Sequence, residues 1–416
     1  MENNSTINNK IPQLRFPGFT GEWQEKKLNE VFSRVTRKNA ENNQNVLTIS
    51  AQYGLISQLE FFKKSVASSD VTGYYLLHKG EFAYNKSSSQ GRPVGAIKPL
   101  RIYDKGVVST LYICFKCNNP EEIDFWEQYF DAGILDSEIL SIAQEGARNH
   151  GLLNISTGDF FGLNVILPTP PEMKKIAECL SSFDDVITAA ENELDSLKAH
   201  KKGLMQQLFP QPGATTPVLR FPCFTGEWTQ YKLGECFDER NEQSLESSDY
   251  PLMAFIAGKG VAAKGEKYDR SALVKDASNK KYKRTELGDF IYSSNNLESG
   301  SIGLNRYGKA CISPVYSIFK AKKGFDPYFI GTILTRKSFI SEMIKYRQGV
   351  VYGQWKIPEK EFLNLIIRIP SFAEQQKIAE FLEAEDQMIA AQEQKVESLK
   401  THKKGLMQQL FPQLQK

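Results

Sequence analysis

The chain has 416 residues, 41% of them hydrophobic and 24% charged, with 52 lysines and arginines against 49 aspartates and glutamates. Such a length and composition suit a folded protein of two or three domains and exclude a disordered or collagen-like one. No apolar run approaches the roughly 18 residues a membrane-spanning helix needs, and the net charge of +3 says little until its distribution is known.

The first ten residues are rich in Asn and lack the charged-then-apolar order of a secretory signal, so a cytoplasmic location is expected. Residues 14–28, LRFPGFTGEWQEKKL, come next and recur at 219–233 as LRFPCFTGEWTQYKL. A second block, SLKAHKKGLMQQLFPQ at 196–211, recurs at 398–413 as SLKTHKKGLMQQLFPQ. Blocks that both recur about 200 residues on mark a tandem duplication. Between the matching ends only fragments align, such as GEFAYN (80–85) against GDFIYS (288–293). Two copies of one job have little reason to diverge there, whereas two reading heads on a symmetric scaffold do.

In the first half, strands are predicted over Phe82 to Tyr84 and Val107 to Phe115, and a helix over Phe125 to Leu135. Cys114 and Cys117 form the one CxxC pair, with no second pair or nearby His to complete a zinc site. The six scattered cysteines are expected to be free thiols. After the strand at 82–84 comes NKSSSQGR, whose Lys86, Gln90 and Arg92 are side chains able to read base edges. A polar hairpin tip would carry the same residues. Arg148 and Asn149 in GARNH again join a cation to an amide, with turn chemistry as the competing explanation.

A long helix comes next. Ile176, Leu180, Phe183, Ile187, Ala190, Leu194, Leu197, Leu204 and Leu208 alternate by four and three, interrupted at Lys201. That is a heptad seam. Pro170 and Pro171 stand before it and Pro210 after it, where proline can start or stop a helix. At 1.5 Å per residue the helix would be about 55 Å long.

The second half brings the most basic stretch, Lys259 to Arg284, with nine cations against three acids, closing on Lys280, Lys281, Tyr282, Lys283 and Arg284. Clustered cations suit a phosphate backbone, though a solvated basic loop would look alike. Strands are predicted at Asp289 to Tyr292, Ile312 to Phe319 and Asn364 to Ile369, and a helix at Tyr328 to Lys345. Asn295 and Asn296 occupy the place that NKSSSQGR holds in the first half, and Arg347 and Lys356 begin and end RQGVVYGQWK, which again combines cations with amides. A second seam runs through Ile378, Leu382, Ile389, Val396, Leu399, Leu406 and Leu410, broken at Glu385 and Gln392.

Charge sets how the seams pair. Glu172 to Asp195 carries seven acids and two bases, as does Glu374 to Glu397, while both C-terminal thirds are basic. Parallel pairing opposes like charges; antiparallel pairing sets acids against Lys198, Lys201 and Lys202 or Lys400, Lys403 and Lys404. Antiparallel pairing is expected.

Catalytic signatures are missing. GLNRYGKA (303–310) lacks the hydroxyl and the following helix of a phosphate loop, no Asn-Pro-Pro-Tyr is present, and no Pro-Asp dipeptide starts a nuclease motif. No metal or cofactor site is expected, and the chain is expected to be non-catalytic.

The opening motifs, the passages GARNHGLLNISTGDFFGLNVILPTPPEMKKIAECL and YGQWKIPEKEFLNLIIRIPSFAEQQKIAEFL, and the two KKGLMQQLFPQ endings together resemble the specificity subunit of bacterial type I restriction-modification complexes. The resemblance covers nearly the whole chain. It implies an α+β fold with two mixed target-recognition domains (1–168 and 219–369) and two helical spacers (169–218 and 370–416) pairing as an antiparallel coiled coil, a pseudo-two-fold tandem repeat. It implies that each domain reads one half of a bipartite double-stranded DNA site, and that the chain docks two methyltransferase subunits and, through the assembled complex, the restriction subunits. S-adenosylmethionine, ATP and magnesium would then belong to those partners. The alternatives are a DNA-binding adaptor unconnected to modification and a nuclease or methyltransferase acting alone.

Overall fold

A computed structural model describes residues 10–50, 54–62, 70–87, 93–143, 151, 153–263, 280–350 and 354–412. The chain divides into two units, Met1–Asn192 with Glu393–Lys416, and Glu193–Gln392.

In the first unit the strand Gln24–Lys27 pairs antiparallel with Asn164–Leu167. A one-turn helix, Leu28–Val31, comes next, and its Glu30 reaches back to accept from the Lys27 N–H at 2.8 Å. The chain then enters a four-stranded antiparallel sheet ordered Phe32–Arg34, Ile113–Cys117, Phe82–Asn85, Ala96–Pro99. Helix Ile123–Asp131 contributes Trp126 and Phe130 to the aromatic core around Phe32, Phe82 and Phe115. Phe82 stacks on Phe115 at 5.4 Å and meets Phe130 edge-on at 5.7 Å. Such pairs add about 0.5–1.5 kcal/mol each beyond the area they bury.

The second unit repeats the plan with different residues. Thr229–Lys232 pairs with Ile366–Ile369, and the turn Leu233–Cys236 has Glu235 accepting from the Lys232 N–H. The sheet order is Phe237–Glu239, Ser317–Ala321, Phe290–Tyr292, Ile302–Leu304. GEFAYN and GDFIYS thus supply the same inner strand, and Phe82, Tyr84, Phe290 and Tyr292 are all fully buried.

Three expected elements are broken. Val107 to Phe115 becomes Lys105–Val108 and Ile113–Cys117, divided by a turn in which the Tyr112 N–H donates to the Ser109 carbonyl at 3.1 Å. Ile312 to Phe319 likewise divides into Ala310–Ile312 and Ser317–Ala321 across a turn holding Pro314, which cannot donate to a ladder. The helix from Tyr328 to Lys345 is two helices, Pro327–Leu334 and Lys337–Ile344. The Thr335 hydroxyl between them donates to the carbonyls of Gly331 and Thr332, a bond that competes with continued helix.

The long helices span Pro170–Gln207, 38 residues, and Phe372–Leu410, 39 residues. Pro170 and Pro171 occupy the first turn, where the missing N–H is no loss. In both units the helical segments run antiparallel. Lys403 binds Asp184 and Lys400 binds Glu191, each at 2.6 Å, in the first unit. In the second, Lys201 pairs with Asp386 and the Gln392 amide donates to Glu193 at 2.8 Å. Ile176, Leu180, Ile187, Ile378, Leu382 and Val396 are buried, while Phe183, Leu194, Leu197, Ile389 and Leu399 are half-buried. Phe183 stacks on His402 at 5.4 Å.

The repeated blocks recur because they hold each other. In the first unit the Leu14 N–H donates to the Gln409 carbonyl and Trp23 meets Phe411 edge-on at 6.3 Å. In the second, Leu219 donates to Gln207 and Trp228 meets Phe209 at 6.2 Å. Arg15 forks onto Glu172 at 2.7 and 2.8 Å, and Arg220 onto Glu374 at 2.7 Å through both nitrogens. Each arginine also donates to the carbonyls of its own FTG turn, whose glycine, Gly21 or Gly226, has a φ near +80° (80° and 84°) that favours glycine.

Candidate nucleic-acid interface

In the first unit, Lys86 comes directly after the strand Phe82–Asn85, is half-buried, and donates to the Ile155 carbonyl at 3.4 Å. Gly95, at φ +85°, lies beside the start of this loop; a Cβ there would stand 2.0 Å from the Asn85 carbonyl oxygen, so only glycine fits. Gln90, Arg92, Arg148 and Asn149 lie outside the described residues.

In the second unit the basic run divides. Lys280 and Lys281 are exposed. Lys283 is buried on the strand Tyr282–Thr285 and donates to the Tyr316 carbonyl at 3.0 Å, so its charge is not offered to solvent as expected for a phosphate contact. Strand alternation is the cause: Lys283 and Thr285 face in, Tyr282 and Arg284 do not. Arg284 lies 4.6 Å over the Tyr250 ring and donates to the Ser244 hydroxyl at 3.0 Å. Lys309 approaches the same ring at 5.8 Å. The Tyr250 hydroxyl donates to Glu286 at 2.6 Å, a bond that raises the phenol's pKa and holds the carboxyl below its usual range. Sequence reasoning missed Tyr250 and Lys309, which lie far from the basic run and reach it only through the sheet.

Asn295 and Asn296 are exposed on the turn after Phe290–Tyr292. The Asn295 carboxamide oxygen accepts from the Trp355 N–H at 2.6 Å, and Arg347 forks onto Glu298 at 2.8 and 2.6 Å. Arg347 depresses the Glu298 carboxyl through that hydrogen bond. Lys356 is exposed, 3.5 Å from Glu359. The second domain thus brings Asn295, Arg347 and Lys356 together around one hairpin, while Arg284 lies on the strand Tyr282–Thr285 of a different sheet, with Lys280 and Lys281 immediately before it.

Among the described residues no cluster of three or more His, Cys, Asp or Glu is placed to hold a metal, and no helix is long and apolar enough to cross a membrane. Cys114 and Cys117 are buried, and burial pushes their thiols up to about 12 and about 11.

Residues 225–401 match the family profile of the type I restriction modification DNA specificity domain. Over that stretch the chain is similar to the type I restriction-modification specificity family. Two proteins of Methanocaldococcus jannaschii are similar to it. One, named for the MjaX type I restriction enzyme specificity subunit, is 29% identical over 60% of this chain and 58% of its own length. The MjaVIII type I restriction enzyme specificity subunit is 26% identical over 65% of this chain and 66% of its own. The matched part thus spans less than two thirds of either relative.

The crystal structure of a type I restriction-modification S subunit from M. genitalium shares the fold, with a TM-score of 0.58 at 15% identity, covering 97% of this chain and all of that one (100%). A chain from a structure on complex assembly and conformational transition of the type I system aligns with a TM-score of 0.50 at 17% identity, over 95% of this chain and 98% of its own. The fold is α+β, with mixed sheet-and-helix units and two long helices.

Proposed function

We propose that the chain is the sequence-recognition subunit of a type I restriction-modification complex, binding an asymmetric bipartite site in double-stranded DNA. Residues 1–168 and 219–369 each read one half, and residues 169–218 and 370–416 serve as helical spacers. The chain docks two methyltransferase subunits and, through the assembled complex, the restriction subunits. Adenine methylation and cleavage, with S-adenosylmethionine, ATP and magnesium, reside in those partners, and the complex works in the cytoplasm.

One contrast carries this reading. Both units keep the same strand order, Arg–Glu fork and Trp–Phe contact, which is what a common scaffold needs. They differ immediately after the shared inner strand: a lysine donates to the Ile155 carbonyl in the first, and an asparagine braces a hairpin in the second. Constant supports with variable tips suit two readers of different sequences. Co-expression with the cognate methyltransferase and mapping of chromosomal adenine methylation tests it. One bipartite motif, present only when this chain is present, is expected; a motif that persists without the chain would refute the assignment.

A further inference from the structure

The hairpin Gln348–Val350 with Gln354–Lys356 sets Gln348 opposite Lys356 and Gly349 opposite Trp355. Its base is held from both strands by one loop. Asn295 accepts from the Trp355 N–H at 2.6 Å, the Ser294 hydroxyl from the Ile357 N–H at 2.9 Å, and Glu298 takes the Arg347 fork. Ile357 is fully buried, and its carbonyl accepts from the buried Tyr292 hydroxyl at 3.2 Å, so the chain enters the core immediately after Lys356. On this fixed base Trp355 is 49% exposed, whereas the other three tryptophans, Trp23, Trp126 and Trp228, are 2%, 0% and 1% exposed.

We propose that Trp355 is a specificity-determining residue of the second recognition domain, and that Asn295 and Arg347 are positioning residues that aim it. The inference rests on the DNA-recognition reading above. A two-stranded ribbon fits the major groove, about 12 Å wide. There an indole offers an apolar edge to a thymine methyl and one N–H to a purine acceptor. A ring whose own backbone is pinned loses little freedom on binding, which favours it as an anchor. Two of the polar residues first suspected of reading bases are already engaged: Arg347 is 12% exposed in its side chain and neutralised by Glu298, and the Asn295 oxygen is taken by the hairpin.

The test uses the full chain co-expressed with its methyltransferase and methylation mapping. W355A should leave one half-site unchanged and relax one or two positions of the other, with discrimination there falling about fivefold or more; W355F should be intermediate. Iodide quenching supplies the folding control, since W355A should lose the accessible emission and keep that of the three shielded tryptophans. An active W355A complex with an unchanged motif would overturn the inference while leaving the proposed function intact. So would lost methylation that neither W355F nor W355Y restores, or lost co-purification with the methyltransferase, either of which assigns the indole to folding or docking. Absence of any bipartite motif with the wild-type chain would instead defeat the functional reading itself.

Discussion

Lys281 and Lys283 stand two positions apart in one basic run, yet only the first is exposed. If this basic run meets phosphate, K281Q should flatten the slope of log K against log salt on a duplex by about one unit. K283M should leave the slope alone and lower stability by about 1–3 kcal/mol, because the Tyr316 carbonyl loses its donor. Equal slope changes in both variants would contradict the assignment.

The Arg220–Glu374 pair makes a second claim at this scale. Glu374 is 1% exposed, so removing its partner strands a buried carboxylate. R220A should cost about 3–5 kcal/mol in urea unfolding, and R220A with E374L should recover much of it. A single variant within about 0.5 kcal/mol of wild type would mean that the pair is replaceable by water, as surface pairs are.

Among the elements, the helix ends act as wedges. Phe411 closes the first unit against Trp23, Phe125 and Tyr129, and Phe209 closes the second against Trp228 and Phe329. F411A should cost about 3–5 kcal/mol, as truncating a buried aromatic does. Hydrogen exchange should accelerate around Trp23 to Val31 and stay unchanged around Trp228 to Phe237; uniform acceleration would show that the two units unfold as one.

Features of this size were the most legible in sequence. The seam, its antiparallel sense and the inner strands GEFAYN and GDFIYS follow from periodicity and charge, which are local quantities. The Arg15–Glu172 fork was not legible, since it joins residues 157 apart. Nor was the break at Thr335, which neither Gly nor Pro marks. Lys283 was within reach: alternation through Tyr282–Thr285 must turn one of two neighbouring cations inward, and composition alone hides that. Trp355 was hidden because an aromatic in a strand-like run ordinarily signals core; only its exposure separates it from the other three tryptophans.

Over the whole molecule, the duplication closes on itself. The first unit takes its helix end from the last repeat of the chain, residues 393–416, and the second takes its own from the central repeat. Each half thereby offers the same base, built from an opening motif and a helix end, to whatever middle segment is grafted on it. Residues 29–168 and 234–369 should for that reason be exchangeable. The most direct measurement is a methylation map of cells carrying the methyltransferase and a hybrid chain in which residues 234–369 are replaced by a copy of 29–168. A symmetric motif made of the first half-site repeated is expected; a folded, active hybrid that still methylates the original asymmetric site would contradict the exchange of reading heads on a common base.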